Sequence, residues 1–334
     1  MSPELTFRGR HVLLVGTDPG TAGAVRSLLR GGAQVTIDAP EGTLGATLDD
    51  LVQRGLVTWT TGADHAAYGV VIRARADTTP AAAPVAGGRS VGRVTLVGGG
   101  LGDPGLLTIA GLEAICTADV IVHDRLAPLD ALRHVRADAV VIDVGKIPRG
   151  DFTPQETINA VLVEHALAGR NVLRLKGGDN FVFGRGGEEA EACAEAGIPV
   201  VVVPGVSSSI AAPALAGIPV THRALVQGFT VVSGHVPPGD PRSTLDWGAI
   251  ARSNTTIVVL MGVATLGAIA TELIAHGLSP DTPAAVVADA GLPSMRSVRA
   301  TLSRIAHVCV SEGLGAPAVA VVGSVAALDV LAGR

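Results

Sequence analysis

Short apolar runs alternate along the chain with longer segments of helical spacing, and this alternation predicts an α/β protein. The apolar runs are rich in valine and leucine, as expected for parallel strands that helices cover. We predict strands at Arg10–Val15, Ala33–Ile37, Val94–Val97, Val120–His123, Val140–Val144, Val172–Leu175, Val200–Val203, Phe229–Ser233, Thr256–Met261, Ala284–Ala288 and Ala318–Val322. We predict helices at Thr21–Arg30, Leu48–Arg54, Leu106–Thr117, Pro154–Ala168, Glu188–Ala196, Leu266–His276 and Leu302–Glu312.

The same pattern divides the chain into units. Residues 1–77 begin with a strand, a helix and a second strand, and residues 78–92 have the alanine, proline and glycine content of a linker. Residues 93–204 form a second α/β unit, and residues 205–334 form a third. A length of 334 residues is compatible with this number of domains.

Composition narrows the class of protein. With 48% hydrophobic and only 2% aromatic residues, the core must consist of small aliphatic side chains. A net charge of −5 does not support a nucleic-acid partner. Three widely spaced cysteines form no metal-binding pattern and fit a reducing cytoplasm, with Cys116 and Cys193 expected to be buried. The uncharged residues 197–221 contain four prolines, which argues against a membrane-spanning helix, and charges precede the first apolar run, so we expect no signal peptide.

The segment Arg174–Glu189 carries the strongest functional signal. It contains five glycines within eleven residues, together with Lys176, Asp179 and Arg185. Glycine lets a backbone approach a ligand closely, and the segment lies between a strand and a helix, where open α/β sheets bind ligands. An ordinary tight turn with solvated charges is the alternative, but it would explain only one or two of the glycines.

Four further motifs accompany this segment, namely Val94–Thr108, Ala118–Leu126, Val203–Ser207 and Ala216–Arg223. Together they resemble the uroporphyrinogen-III C-methyltransferases, a branch of the tetrapyrrole methylases, from about Arg93 to Ala327. The resemblance implies a two-domain methylase fold with its active site in the cleft between the α/β domains. It also implies a small tetrapyrrole substrate, no membrane partner and a homodimer.

The activity implied is C-methylation of uroporphyrinogen III at two pyrrole carbons, which gives precorrin-2 for siroheme or cobalamin synthesis. S-adenosylmethionine would be the methyl donor and S-adenosylhomocysteine the product. Two alternatives stay open. One is a methyltransferase for a later corrinoid intermediate. The other is a non-catalytic ligand-binding homologue, because Leu101, Ile147 and Asn180 depart from the family pattern.

The resemblance also assigns residues to the methyl donor: Leu101, Gly177, Gly178, Asp179, Val182, Ser207, Ser208, Met261 and Ala290. Leu101 and Asn180 both stand where the family has proline, and we expect Asn180 to loosen its loop. Taken alone, Met261 would more often belong to a core than to a ligand site.

Asp124 and Lys146 each follow an apolar strand, and the resemblance makes them the proton acceptor and the proton donor. Asp124 would otherwise be read as an ordinary cap of the next element. The implied substrate is rich in carboxylates, so cationic side chains should bind it. The candidates are Arg125, Arg149, Arg185 and Arg223, each of which could equally be a solvated surface charge. No spacing supports a metal site.

The N-terminal unit resembles the dehydrogenase part of siroheme synthases and the opening of a Rossmann domain. A dinucleotide fingerprint needs a second glycine in the turn after the first strand, but residues 16–22 have Asp18 at that place. A carboxylate there would repel a diphosphate. We therefore expect a degenerate, vestigial Rossmann-like unit that does not bind NAD.

Overall fold

The computed structural model describes residues 9–17, 32–44, 46–73, 91–145 and 153–331, together with Thr21, Val25, Leu28 and Leu29. By its internal contacts the chain divides into two compact units, Met1–Gly88 and Arg89–Arg334. Most of the predicted helix Thr21–Arg30 and nearly all of the predicted linker lie outside the described residues.

The first unit contains a four-stranded parallel sheet in the order β3-β2-β1-β4. Its elements are β1 (His11–Val15), β2 (Gln34–Asp38), α1 (Ala46–Gln53), β3 (Thr58–Thr60) and β4 (Val70–Arg73). Side chains of β1 and β2, such as Val12, Leu14 and Ile37, form a buried cluster with the neighbouring helical segments. The sequence pattern misses β3 because its three residues, Thr-Trp-Thr, include no aliphatic side chain.

The second unit begins with a five-stranded sheet that is parallel throughout, in the order β7-β6-β8-β5-β9. The strands are β5 (Arg93–Gly98), β6 (Val120–His123), β7 (Val140–Asp143), β8 (Asn171–Lys176) and β9 (Val200–Val203). The helices between them are α2 (Ile109–Thr117), α3 (Gln155–Leu167) and α4 (Gly186–Glu195). Since all five strands run the same way, their carboxyl ends meet along one edge, where ligands bind in such sheets.

A second five-stranded sheet in this unit has the order β10-β11-β14-β12-β13. The elements are α5 (Ser208–Leu215), β10 (Phe229–Ser233), α6 (Trp247–Ala251), β11 (Thr256–Leu260), α7 (Leu266–Ala275), β12 (Pro283–Ala288), β13 (Arg296–Thr301), α8 (Ile305–Ser311) and β14 (Ala318–Val322). Because β14 is antiparallel to both β11 and β12, the carboxyl ends of β11 and β12 lie on the same side of the sheet.

Each of these two sheets separates two buried aliphatic clusters, one on each face. Val94, Val120 and Val172 belong to one cluster of the first sheet, while Val97 and Leu173 belong to the other. This arrangement agrees with the prediction of strands buried on both faces. Within the described residues, no helix is long and apolar enough to cross a membrane.

Further details differ from the sequence predictions. Strand β13 was missed because Arg296 and Arg299 interrupt any apolar pattern, which an edge strand paired only with β12 tolerates. Helix α2 begins at Ile109 rather than Leu106, since the Thr108 hydroxyl accepts a hydrogen bond from the Gly111 amide and caps the helix there. Cys116 is exposed, contrary to expectation, whereas Cys193 is buried and burial raises its pKa to about 11.

Candidate functional site

Three glycines meet where β5, β8 and β9 end. A Cβ atom on Gly98 would lie 2.5 Å from the Gly205 amide nitrogen, and one on Gly205 would lie 2.3 Å from the Gly178 carbonyl oxygen. Gly100 and Gly178 also exchange backbone hydrogen bonds of 3.2 and 2.6 Å. Only residues without a side chain permit this approach, so the three loops form one continuous backbone surface.

Gly178 borders free space at this surface. Its φ of +68° is one that residues with a side chain rarely adopt. A Cβ atom there would meet nothing closer than the Ser208 amide nitrogen at 3.8 Å and its hydroxyl at 4.0 Å. Gly177, by contrast, packs against the chain after β6, with a Cβ position 2.7 Å from the Leu126 carbonyl oxygen. The free space therefore lies between Gly178 and the first turn of α5.

The carboxylate of Asp179 holds two of these loops together. One oxygen accepts a hydrogen bond from the Phe181 amide at 2.9 Å, and the other accepts one from the Gly205 amide at 3.0 Å. Asp179 thus fixes the loop after β8 against the loop after β9. Val182 follows, 38% exposed, so it can offer an apolar surface to a ligand.

Asn180 does not loosen the loop, which corrects the expectation drawn from its replacement of proline. The side chain is fully buried, and its amide group donates to the carbonyl oxygens of Leu96 at 3.2 Å and Val203 at 2.9 Å. A proline side chain has no donor and makes neither bond. Asn180 therefore ties the loop after β8 to strands β5 and β9, although its own Oδ1 atom has no partner within the described structure.

Two serines begin helix α5. The Ser207 hydroxyl accepts from the Ser209 amide at 3.3 Å and caps the helix. Ser208, the first residue of the helix, is the one whose amide and hydroxyl lie beside Gly178. Amide groups in the first turn of a helix lack partners within that helix and suit anionic groups of a ligand.

The second sheet contributes the other predicted contacts. Leu101 and Ala290 pack against the same buried cluster, and a Cβ atom on Gly291 would lie 2.7 Å from the Leu101 carbonyl oxygen. The loop after β5 therefore touches the loop after β12. Met261 directly follows β11, is 50% exposed and has a φ of +57°. It is not a core residue, and strained backbone of this kind is concentrated at ligand sites.

Asp124 lies at the carboxyl end of β6 with its side chain 29% exposed. One oxygen accepts from the Leu126 amide at 3.1 Å, and the other lies 3.5 Å from an Nη atom of Arg174. Lys146 and Arg149 lie outside the described residues. Gly145, just before Lys146, packs on the Asp124–Leu126 turn, with a Cβ position 2.8 Å from the Arg125 amide nitrogen.

The remaining arginines occupy different environments. Arg125 is exposed in the turn after β6, and Arg223 is exposed in a turn closed by hydrogen bonds between His222 and Val226. Arg185 donates two hydrogen bonds to Glu188, at 2.8 and 2.6 Å, and these hold the pKa of Glu188 below its ordinary value. A carboxylate ligand would therefore have to displace Glu188 from Arg185 or share the guanidinium with it.

The sequence interpretation missed Arg174 and Glu189 as parts of this site. Both are buried, and Arg174 is the nearest cation to Asp124 that the described structure shows. The signal was present, because Arg174 interrupts the apolar run from Val172 to Leu175 in a strand that is covered on both faces. Among the described residues, no group of histidine, cysteine and acidic side chains is arranged to hold a metal ion.

Comparison with known proteins places this site in context. Residues 93–306 match the family model for Tetrapyrrole (Corrin/Porphyrin) Methylases. The chain is 46% identical over 243 residues to an S-adenosyl-L-methionine-dependent uroporphyrinogen III methyltransferase of Methanosarcina barkeri, covering 73% of this chain and 95% of that protein. It is 48% identical over 237 residues to a siroheme synthase of Neisseria meningitidis, but spans only about half, 48%, of that relative's length and 71% of its own.

Solved structures give the same result. The uroporphyrin-III C-methyltransferase of Thermus thermophilus, complexed with S-adenosylhomocysteine, is 39% identical with a TM-score of 0.59, over 70% of this chain and 98% of that one. A cobalt precorrin-4 methyltransferase is 25% identical with a TM-score of 0.63, over 70% and 95%. These matches confirm the predicted family resemblance and the predicted fold of the second unit.

Replacing Asn180 by alanine is expected to lower the free energy of unfolding by about 1–3 kcal/mol, because two buried hydrogen bonds are lost. Denaturant unfolding followed by circular dichroism measures this. Asn171→Ala is the matched control at an exposed position and should change stability by less than about 0.5 kcal/mol. Equal stability of the parent and Asn180→Ala would show that the amide does not anchor the loop.

Proposed function

The chain belongs to the tetrapyrrole methylase family, and we propose on that basis that it transfers methyl groups from S-adenosylmethionine to two pyrrole carbons of uroporphyrinogen III, giving precorrin-2. The product would feed siroheme or cobalamin synthesis. The observation that carries the proposal is the backbone surface of Gly98, Gly178 and Gly205, of which Gly178 faces the first turn of α5. It occurs in a chain 46% identical to an S-adenosyl-L-methionine-dependent uroporphyrinogen III methyltransferase.

The site fits S-adenosylmethionine in shape and chemistry. We call the free space between Gly178 and Ser208 the Gly178 cradle. A side chain at position 178 would enter it, and the Ser208 amide and hydroxyl border it. Met261 and Val182 provide exposed apolar surface, and Leu101 and Ala290 pack against the same buried cluster of the second sheet. When bound, S-adenosylmethionine supplies an electrophilic methyl group on its sulfonium sulfur. The protein's task is to orient this group toward an electron-rich pyrrole carbon.

Acid–base chemistry falls to Asp124. After methylation the tetrapyrrole must lose a proton to restore conjugation, and a partly exposed carboxylate at the strand end is suited to accept it. We propose Lys146 as the proton donor, supported by Gly145, which packs on the turn that follows Asp124. Arg125, Arg149, Arg185 and Arg223 are proposed to bind carboxylates of the substrate.

A later corrinoid intermediate is the rival substrate, since a cobalt precorrin-4 methyltransferase shares the fold. The identity of 25% to that enzyme, against 39% and 46% to uroporphyrin(ogen) III methyltransferases, favours the main proposal.

We further propose a homodimer located in the cytoplasm. The three free cysteines support a reducing compartment.

Purified protein incubated with uroporphyrinogen III and labelled S-adenosylmethionine is expected to give dimethylated product. Asp124→Ala should keep cofactor binding and lose about 10²- to 10⁴-fold in kcat, because general base catalysis is removed. Lys146→Ala should lose a similar factor. An unlabelled tetrapyrrole fraction with the parent protein would contradict the activity. Full kcat in both variants would contradict only the assigned roles.

Gly178→Val is expected to abolish binding of S-adenosylhomocysteine, because branched γ-carbons would enter the space beside Ser208 and the φ of +68° disfavours any side chain. Isothermal titration calorimetry measures the Kd. Gly187→Val is the control, since a Cβ atom at Gly187 meets nothing within 4 Å. A Kd for Gly178→Val within about threefold of the parent, a difference of only about 0.7 kcal/mol, would place the cofactor elsewhere.

For the N-terminal unit we propose a vestigial Rossmann-like domain that does not bind NAD. Asp18, the first argument for this proposal, lies outside the described residues, and Asp38 gives a second argument. It ends β2, where dinucleotide-binding domains carry an acidic residue for the ribose. Here its two oxygens accept hydrogen bonds from the Gly62 and Ala63 amides, at 2.7 and 3.1 Å.

Calorimetric titration of the full chain with NAD is therefore expected to show no saturable heat up to about 1 mM, the concentration at which even weak specific binding becomes visible. S-adenosylhomocysteine titrated into the same sample is the positive control. Micromolar NAD binding together with oxidation of precorrin-2 to sirohydrochlorin would reverse this proposal and make the protein bifunctional.

A further inference from the structure

Four charged side chains form a connected network at the carboxyl ends of β6 and β8. Arg174 and Lys176 lie on β8 and are each 3% exposed, and Glu189 on α4 is fully buried. Asp124 completes the network at the edge of the site. Two cations face two carboxylates, so the charges balance when all four groups are ionised.

Glu189 is the centre of the network. Its carboxylate accepts from Arg174 Nε at 3.0 Å, from Lys176 Nζ at 2.9 Å to each oxygen, and from Gln155 Nε2 at 3.3 Å. A buried carboxylate is costly unless it is paired and fully hydrogen-bonded, and Glu189 satisfies both conditions. Its position in the first turn of α4 adds a favourable interaction with the helix dipole.

Arg174 links Glu189 to Asp124, because it contacts both carboxylates. Its Nε atom donates to Glu189, while Nη1 lies 3.4 Å from the Val122 carbonyl oxygen and 3.1 Å from that of Leu175. Its remaining nitrogen, Nη2, lies 3.5 Å from Asp124 Oδ2. Because the guanidinium group is planar, the contacts of Nε and Nη1 also fix the position of Nη2. The orientation of Asp124 therefore depends on where Glu189 holds Arg174.

Lys176 plays a different part in the network. Its ammonium group contacts both Glu189 oxygens, and burial together with the charge of Arg174 lowers its pKa. Lys176 thus compensates the negative charge of the Glu189 carboxylate. The two cations have different partners, because Arg174 contacts Asp124 as well as Glu189, and Lys176 contacts Glu189.

We propose that Glu189 is a positioning residue for methyl transfer: by anchoring Arg174 it holds the Asp124 carboxylate in the orientation that accepts the substrate proton. This inference rests on the proposed function and assigns no contact with substrate or cofactor to Glu189 itself.

The first test compares Glu189→Gln with Glu191→Gln, an identical charge change at an exposed position two residues along the same helix. In Glu189→Gln the kcat for methylation of uroporphyrinogen III should fall about 10- to 100-fold, since small displacements of a catalytic group cost that much. The KM and the Kd for S-adenosylhomocysteine should stay within about threefold, because the Gly178 cradle is untouched. Glu191→Gln should match the parent in all three quantities.

A double variant tests the mechanism and covers the case in which Glu189→Gln folds poorly. In that single variant the glutamine amide meets the Lys176 ammonium, two donors face each other, and one positive charge is uncompensated. Adding Lys176→Met removes the excess charge and leaves the glutamine oxygen for Arg174 Nε. We expect the double variant to regain at least about tenfold in kcat over Glu189→Gln, because Arg174 is anchored again.

The outcomes separate the two levels of the argument. An inactive parent overturns the proposed function and this inference with it. With an active parent, parental kcat in Glu189→Gln overturns the inference alone. So does a loss of cofactor affinity as large as the loss of kcat, which would indicate a general structural role. A double variant that folds but remains at or below the rate of Glu189→Gln also overturns it, because anchoring Arg174 would then not restore Asp124.

Discussion

The close approach of three backbones at Gly98, Gly178 and Gly205 is the constraint on which the rest of the site depends. A Cβ atom at Gly98 or Gly205 would lie only 2.3–2.8 Å from neighbouring backbone atoms, so neither position has room for a methyl group. Because these loops follow adjacent parallel strands, their contact fixes the distance between Gly178 and the helix α5 that begins at Ser208. Asp179 and Asn180 reinforce the same junction by bonding to the loop after β9, and to β5 and β9, respectively.

Buried charge is the second constraint, and it acts on β8, the strand that leads into Gly178. Arg174 and Lys176 occupy β8, the central strand of the first sheet, where an apolar residue would pack at lower cost. The network around Glu189 recovers part of that cost through hydrogen bonds. What it adds is a fixed cation beside Asp124 at the edge of the candidate site. In the proposed function, the glycine junction would hold the ligand, and the ionic network would orient the Asp124 carboxylate.

Much of this could be predicted from the sequence. The strands Val120–His123, Val200–Val203, Phe229–Ser233 and Ala318–Val322 have the predicted bounds, because a short run of β-branched and other apolar residues specifies a strand locally. The glycine-rich segment after β8 was singled out for the same kind of reason, since so many residues without a side chain have no use in an ordinary turn. The relation to tetrapyrrole methylases followed from the order and spacing of local motifs, which survive without knowledge of any contact.

The tertiary structure decided the properties that depend on residues far apart in the chain. Asn180 looked like a weakened turn until its partners, Leu96 and Val203, were seen to come from other strands. Met261 suited a core by its chemistry, yet the end of β11 leaves it half exposed with a left-handed backbone. Arg174 and Glu189 are fifteen positions apart, and only the packing of α4 on the sheet makes them a buried pair. A sequence records which groups are present, whereas their pairing depends on how strands and helices meet, and that is a property of the whole fold.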